Sequence, residues 1–210
     1  MNLKDAYSKL FGNSGYSFII MPDGSCVDWN SQAMWHRGFT PNTKDLTVHL
    51  VPGSFNPLHQ THKEIYEMVD APKTQAFFEM SVERVDKDMV SLHQLDERLK
   101  QFRNYAPVVV SRAPRFVTKI GTYLSHMNNL TFHVGIDTIT RMADDYGILG
   151  IQGLAAKFVV HDRIMNGKRL SLSSEFGEHI PQNCKSSPVV RSEESMSRSS
   201  SAIRLNQKDV

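Results

Sequence analysis

The sequence predicts an α/β fold in which a parallel sheet carries helices on both faces, preceded by a small N-terminal extension. From residue 46 onward, strand-like apolar runs at 46–52, 75–81, 106–111, 130–135 and 156–161 alternate with helix-like stretches at 61–70, 91–104, 114–125 and 137–146. Such alternation is the pattern of βαβ units, whose strands lie parallel. The length of 210 residues suits one full core and leaves little room for a second. The residues best suited to chemistry follow the strand runs or lie in the terminal segment, and sheets of this kind bind ligands at the carboxyl ends of their strands.

Residues 1–45 form the extension: a helix over Leu3 to Phe11, then a hairpin from Tyr16-Ser17-Phe18-Ile19-Ile20 through the Pro22-Asp23-Gly24 turn to Cys26-Val27-Asp28-Trp29. This segment covers a sheet edge or makes an interface, and Trp29 and Trp35 are read as packing residues rather than ligand stackers. Residues 46–210 form the main domain. Within its second helix Leu92, Leu95, Leu99 and Phe102 recur at helical spacing and face the core, leaving His93 to solvent. After Val108-Val109-Val110, the residues Arg112, Arg115 and Lys119 gather either to meet phosphate beyond a strand end or as a solvated basic face. Residues 171–198, rich in Ser, Glu and Pro and without periodicity, are expected to form a long mobile loop able to close over a bound nucleotide.

Composition excludes several classes. With 24 basic and 22 acidic residues the formal charge is +2, which calls for no broad nucleic-acid surface. Cys26 and Cys184 are lone thiols far apart, not a disulfide framework, and they suit a reducing cytoplasm. No apolar run approaches the ~18 residues of a membrane helix, and Lys4, Asp5 and Lys9 interrupt any leader-like pattern at the start. A cytoplasmic chain with neither nucleic acid nor membrane as partner is expected.

The stretch Gly53-Ser54-Phe55-Asn56-Pro57-Leu58-His59-Gln60-Thr61-His62 carries the strongest signal. The apolar run Leu46, Val48, Leu50, Val51 reads as a buried strand, Gly53 and Pro57 force a turn, and a helix-compatible stretch follows. The N–H groups that open that helix suit an anion. His59 and His62, three apart, can both donate to one phosphate. Alone, His-x-x-His is also what an ordinary surface turn looks like. A zinc site needs further ligands at recognisable spacing, and the remaining His and Cys residues are scattered singly, so no metal site is expected.

At the other end, Arg198-Ser199-Ser200-Ser201-Ala202-Ile203-Arg204 places hydroxyls where a helix can begin, with Ser199 or Ser200 as N-cap and Arg204 one turn along. Alone it reads as a serine-rich linker. As a helix start it is a second anion site, with Arg204 adding a bidentate charged contact.

Together these two segments resemble the signature motifs of the nucleotidyltransferase superfamily related to class I aminoacyl-tRNA synthetases, most of all the nicotinamide and nicotinate mononucleotide adenylyltransferases. Between them, Phe132-His133-Val134-Gly135-Ile136-Asp137-Thr138 resembles that family's Gly-x-Asp motif, and order and spacing agree over residues 47 to about 205. Phe78-Glu79-Met80-Ser81 followed by Asp86-Lys87, and Lys157-Phe158-Val159-Val160 followed by Arg163 and an Asn166-Gly167 turn, are similar to the nicotinamide-nucleotide adenylyltransferase-like domains of plants and some microbes. There are departures. Thr61 stands where many bacterial members have Gly, and Ser201 where others have Thr. The tryptophan that stacks on the pyridine ring in some relatives is missing beyond the first motif, leaving Tyr123, Tyr146, Phe116 and Phe132 as substitutes.

The resemblance implies a Rossmann-like sheet and direct transfer of AMP from ATP to the phosphate of nicotinamide mononucleotide (NMN) or nicotinate mononucleotide (NaMN), with release of pyrophosphate and no covalent intermediate. It implies His59 and His62 as the catalytic pair on the triphosphate, and Gly53, Ser54, Phe55, Ser199, Ser200 and Arg204 as further phosphate contacts. Gly135 and Asp137 would contact the nucleoside, Asp137 accepting from a ribose hydroxyl. Asn56, Lys63 and Arg163 are secondary candidates. Mg2+ travels with ATP, since it prefers phosphate oxygens and water. A homo-oligomer is compatible with the resemblance. Two alternatives stay open: a transferase for another phosphorylated acceptor, such as phosphopantetheine, flavin mononucleotide or a sugar or alcohol phosphate, and a nucleotide-binding module without turnover.

Overall fold

The computed structural model describes residues 1–12, 16–29, 47–69, 74–83, 85, 88–124, 129–188 and 192–197. Strand β3 (Thr47–Pro52) lies centrally in an eight-stranded sheet. Parallel to it on one side run β4 (Thr74–Ser81) and β5 (Val108–Ser111), and on the other β6 (Asn129–Gly135), β7 (Lys157–His161) and β10 (Cys184–Ser186). The extension supplies β1 (Ser17–Ile20), antiparallel to β5, and β2 (Cys26–Asp28), antiparallel to β1. The sheet order is β10-β7-β6-β3-β4-β5-β1-β2, so the described hairpin of the extension continues the sheet rather than forming a unit beside it.

Period-2 alternation sorts each strand between two cores. Val48 and Leu50, Phe77, Val109, Phe132 and Val134, and Phe158 and Val160 face α4 (Phe116–Leu124) and α5 (Ile136–Gln152), through Ile120, Tyr123, Ile136 and Ile139. Helix α5 is interrupted at Gly147, whose φ of 70° is a conformation glycine adopts readily. On the opposite face Val51, Phe78, Met80, Val108 and Val110 meet α1 (Leu3–Gly12), α2 (Gln60–Glu67) and α3 (Leu92–Leu99) through Leu10, Ile65 and Leu95. Helices therefore cover both faces, as the alternation predicts. In α3 and the 3-10 turn Lys100–Phe102 that follows it, Leu95, Leu99 and Phe102 are buried, Leu92 is half-buried and His93 is exposed. Trp29 is buried, its ring 5.5 Å from Phe77 and 5.3 Å from Tyr123, a packing role; Trp35 lies outside the described residues.

The expectation of a structureless loop over 171–198 is corrected. The described part holds α6 (Leu172–Phe176), β10 and α7 (Glu193–Ser197). Serine there caps instead of loosening: the Ser171 hydroxyl accepts from the Ser174 N–H at 3.1 Å. Asn183 then braces the path by donating to the carbonyls of Ile151, Leu154 and Ala156 at 2.9, 3.3 and 3.0 Å. Ahead of α6, β8 (Arg163–Met165) and β9 (Lys168–Leu170) pair as a hairpin across Asn166-Gly167. Among the described residues no helix is long and apolar enough to cross a membrane.

Candidate functional site

The chain leaves β3 toward β4 on one side and leaves β6 toward β7 on the other, so the sheet's connections switch direction between β3 and β6. A crevice at the carboxyl ends of the strands belongs at such a point. One is found there, a cleft of about 110 Å³ lined by Val51 and Pro52 from β3, His59, Thr61 and His62 from the start of α2, and His133, Gly135, Asp137, Thr138, His161 and Arg163 from β6, α5, β7 and β8. His59 and Gly135 are the N-caps of α2 and α5, so two helix N-termini open on one volume and present positive partial charge to it.

The turn before α2 is built by packing. Phe55 adopts φ 43°, rare for a bulky residue, and its buried ring is held edge-on by His62, Phe78 and Phe102 at 4.9 to 5.2 Å. Gly53 is required beneath that ring: a Cβ there would lie 2.6 Å from Phe55 Cε1. Helix α3 and its 3-10 turn brace the rest. Arg98 donates to the Ser54 carbonyl at 3.2 Å, while Gln101 donates to the Phe55 carbonyl at 3.0 Å and accepts from the Leu58 N–H at 2.7 Å.

His59 and His62 come together as the motif predicts, stacked with centroids 3.8 Å apart. The His59 backbone N–H donates to His62 Nδ1 at 3.5 Å, which leaves the proton of the neutral ring on Nε2. Burial, then His59 and Arg163, push the His62 pKa down to about 3, so the ring is a neutral donor at physiological pH. Gly135 and Asp137 line the same cleft; a Cβ on Gly135 would sit on the Asp137 carboxylate. Asp137 Oδ1 accepts from Arg163 Nη1 at 3.1 Å, joining two residues that the sequence suggested separately.

Other candidates stand elsewhere. Ser54 and Asn56 are exposed and, with Gly53, Phe55 and Lys63, do not line the cleft. The Gly53 N–H donates to the Glu79 carbonyl at 3.0 Å, extending the sheet, and the Lys63 ammonium lies 5.3 Å from the centre of the Tyr105 ring. Ser199, Ser200 and Arg204 lie outside the described residues. The chain approaches them along α7, which is fixed to α2 by a 2.7 Å bond from the Thr61 hydroxyl to the Ser195 carbonyl. The basic trio is divided. Lys119 is buried against Glu79 at 2.7 and 2.8 Å, Arg112 pairs with Glu83, and Arg115 lines a second cavity.

That second cavity, about 390 Å³, adjoins the cleft through Thr138 and is lined by Arg115, Phe116, Arg141 and Tyr146 among others. Of the four aromatic substitutes, Tyr123 and Phe132 are fully buried, whereas Phe116 and Tyr146 line this cavity. Sequence reasoning missed His133 and His161. Period-2 alternation over 129–135 and 157–161 was the signal, because it sets His133 beside Gly135 and His161 opposite the face of Phe158 and Val160.

No family model and no curated protein matches the sequence. Solved structures do match the fold. A Plasmodium falciparum nicotinic acid mononucleotide adenylyltransferase complexed with APC aligns at a TM-score of 0.53 and 15% identity, covering 76% of this chain and 83% of that one. The same enzyme complexed with NaAD aligns at 0.54 and 17% over the same shares. The chain thus has the mixed α/β fold of these adenylyltransferase structures, a mostly parallel sheet flanked by helices.

Proposed function

We propose that the chain is a nucleotidyltransferase that moves AMP from ATP to the phosphate of NMN or NaMN, releasing pyrophosphate. One observation carries the reading: His59 and His62 of the first motif and Gly135 and Asp137 of the third meet around one cleft at the switch point of a sheet whose fold neighbours are adenylyltransferases. Displacement at phosphorus needs positioning and charge stabilisation more than a protein nucleophile. His62, with its proton on Nε2, donates to the phosphates, and His59 holds it in register by stacking and through its backbone N–H. The N-termini of α2 and α5 add donors and positive potential. Asp137, oriented by Arg163, accepts from the ribose. The motif assigns Ser199, Ser200 and Arg204, which lie outside the described residues, to the leaving pyrophosphate.

The second cavity takes the acceptor: Phe116 and Tyr146 flank the pyridine ring, and Arg115 and Arg141 meet acceptor phosphate or carboxylate. Among the described residues no group of three His, Cys, Asp or Glu is placed to hold a metal, and Asp137 is the carboxylate lining the cleft. That donor set fits an Mg2+ that would be carried on the phosphates and not held by a protein cage. Such an ion would supply neutralisation of phosphate charge.

Pyrophosphate release measured with MgATP across a panel of acceptors tests the reading. Release with NMN or NaMN alone is expected; release with phosphopantetheine, flavin mononucleotide or a sugar phosphate reassigns the acceptor, and ATP binding without release on any acceptor replaces the enzyme with a binding module.

A further inference from the structure

Strands β3, β6 and β7 each place one histidine on the sheet face toward α2, opposite the face of Leu50, Phe132 and Phe158. His49 Nδ1 lies 2.8 Å from His133 Nε2, and His133 Nδ1 lies 3.2 Å from His161 Nε2. The three rings make a hydrogen-bonded row across adjacent strands, ending in the cleft: His133 and His161 line it beside His59 and His62. His133 is 6% and His161 1% exposed. The roles assigned to the motif residues leave this row unexplained.

We propose that the row is a proton-accepting floor to the phosphate site, taking one proton from solvent when a polyphosphate binds and holding it on the imidazole of His133. The proposal rests on reading the cleft as a nucleotide site. Hydrogen-bond capacity singles out His133. In the neutral row its ring donates through one nitrogen and accepts through the other. As imidazolium it donates through both, to His49 Nδ1 and His161 Nε2, and both bonds persist once the neighbour that had donated to it carries its own proton on its other ring nitrogen. His62 has no such freedom, because its Nδ1 already receives the His59 N–H.

Without ligand the row is neutral. Burial, then His161, His49 and Lys185, hold the His133 pKa at about 2, and burial followed by Lys185 holds that of His49 at about 4. Among the described residues, the ionisable groups facing the row are Lys185 on β10, the Arg163–Asp137 pair on β8 and α5, and His59 and His62 at the start of α2, a surrounding of basic character. A triphosphate reverses that balance. Each opposite charge within 4–6 Å moves a pKa by roughly 1–3 units, so two or three phosphate charges bring the central ring into the neutral range. The added positive charge lets the site hold a dense anion although no lysine lines the cleft among the described residues, and the proton returns to solvent when pyrophosphate leaves.

Calorimetric titration of the whole chain with MgATP, without acceptor, in buffers of different ionisation enthalpy counts the protons. Uptake of about half a proton per nucleotide at pH 7, rising toward one at about pH 6, is expected, with affinity falling by up to about tenfold per pH unit as pH rises toward neutrality and levelling off above it. His133→Gln keeps a donor and an acceptor but cannot titrate, and should abolish both effects, whereas His93→Gln, exposed on α3 and outside the cleft lining, should retain them. No uptake by the native chain, or undiminished uptake by His133→Gln, overturns the proposal. Should His133→Gln not fold, ring ¹⁵N shifts of the native chain with tripolyphosphate decide: both His133 nitrogens protonated supports it, a neutral ring overturns it. If MgATP does not bind, the nucleotide reading falls by itself, and tripolyphosphate still tests the row: uptake on its binding supports the proposal, and no binding or no uptake overturns it.

Discussion

The hydroxyl of Thr61 donates to the backbone carbonyl of Ser195 across 2.7 Å, and the Ser195 hydroxyl lies 3.3 Å from the Thr61 oxygen. Thr61 is buried in the first turn of α2, between the two histidines, and Ser195 lies on α7, the last described helix. Thr61, where many bacterial members of the resembled family have glycine, is thus a fastener joining the first turn of α2 to α7.

Thr61→Val preserves the branched shape and removes the hydroxyl. It should cost about 1–3 kcal/mol of stability, since the buried Ser195 carbonyl loses its donor. If α7 positions the serine-rich segment, KM for ATP rises more than kcat falls. Urea unfolding and steady-state kinetics measure the two effects separately.

His62→Ala should lower kcat by about 10²–10³ while leaving the melting temperature near that of the native chain, as expected for loss of one preorganised donor. His62→Gln restores an N–H and should recover part of the loss. An unchanged rate in His62→Ala would remove this ring from the chemistry.

Acid should destabilise the fold through its buried histidines. Burial holds His62 at about 3 and His133 at about 2, below the ordinary 6.5. The unfolded chain therefore binds more protons between those values, so stability is fully present above pH 6.5 and is lost as pH falls below it. Each group contributes up to about 1.4 kcal/mol per pH unit in that window. Urea midpoints at pH 7 and pH 5 should differ in the native chain, and less in His133→Gln.

Glu79 is the polar centre beneath β4 and β5. Its carboxylate accepts from Lys119 at 2.7 and 2.8 Å, Tyr123 at 3.1 Å and Ser111 at 3.3 Å. Lys119→Met should cost about 3–5 kcal/mol because it strands a buried charge. Adding Glu79→Gln to that variant should return part of the loss, readable by chemical denaturation.

Much of this fold is written in local periodicity. The five parallel strands from β3 to β7 in chain order, and the hairpin of the extension, follow from apolar runs and turn residues. Strand β10 does not: Cys184–Ser186 is short and polar, and it forms because β7 offers an edge and Asn183 ties down the approach. The site was legible where two residues share a motif, as with His59 and His62, because spacing alone fixes their helical face. It was not legible where residues meet across strands. Lys119 reads as a phosphate ligand until Glu79, 40 residues away, neutralises it, and His49, His133 and His161 look scattered until sheet order makes them neighbours.

The most direct measurement is to incubate the chain with MgATP labelled at the α-phosphorus and either NMN or NaMN, and to follow the label by chromatography and mass spectrometry. Label appearing in the dinucleotide, with one unlabelled pyrophosphate released per product, is the predicted result. Label remaining in ATP with both acceptors, under conditions where ATP is bound, would contradict adenylyl transfer to a pyridine mononucleotide.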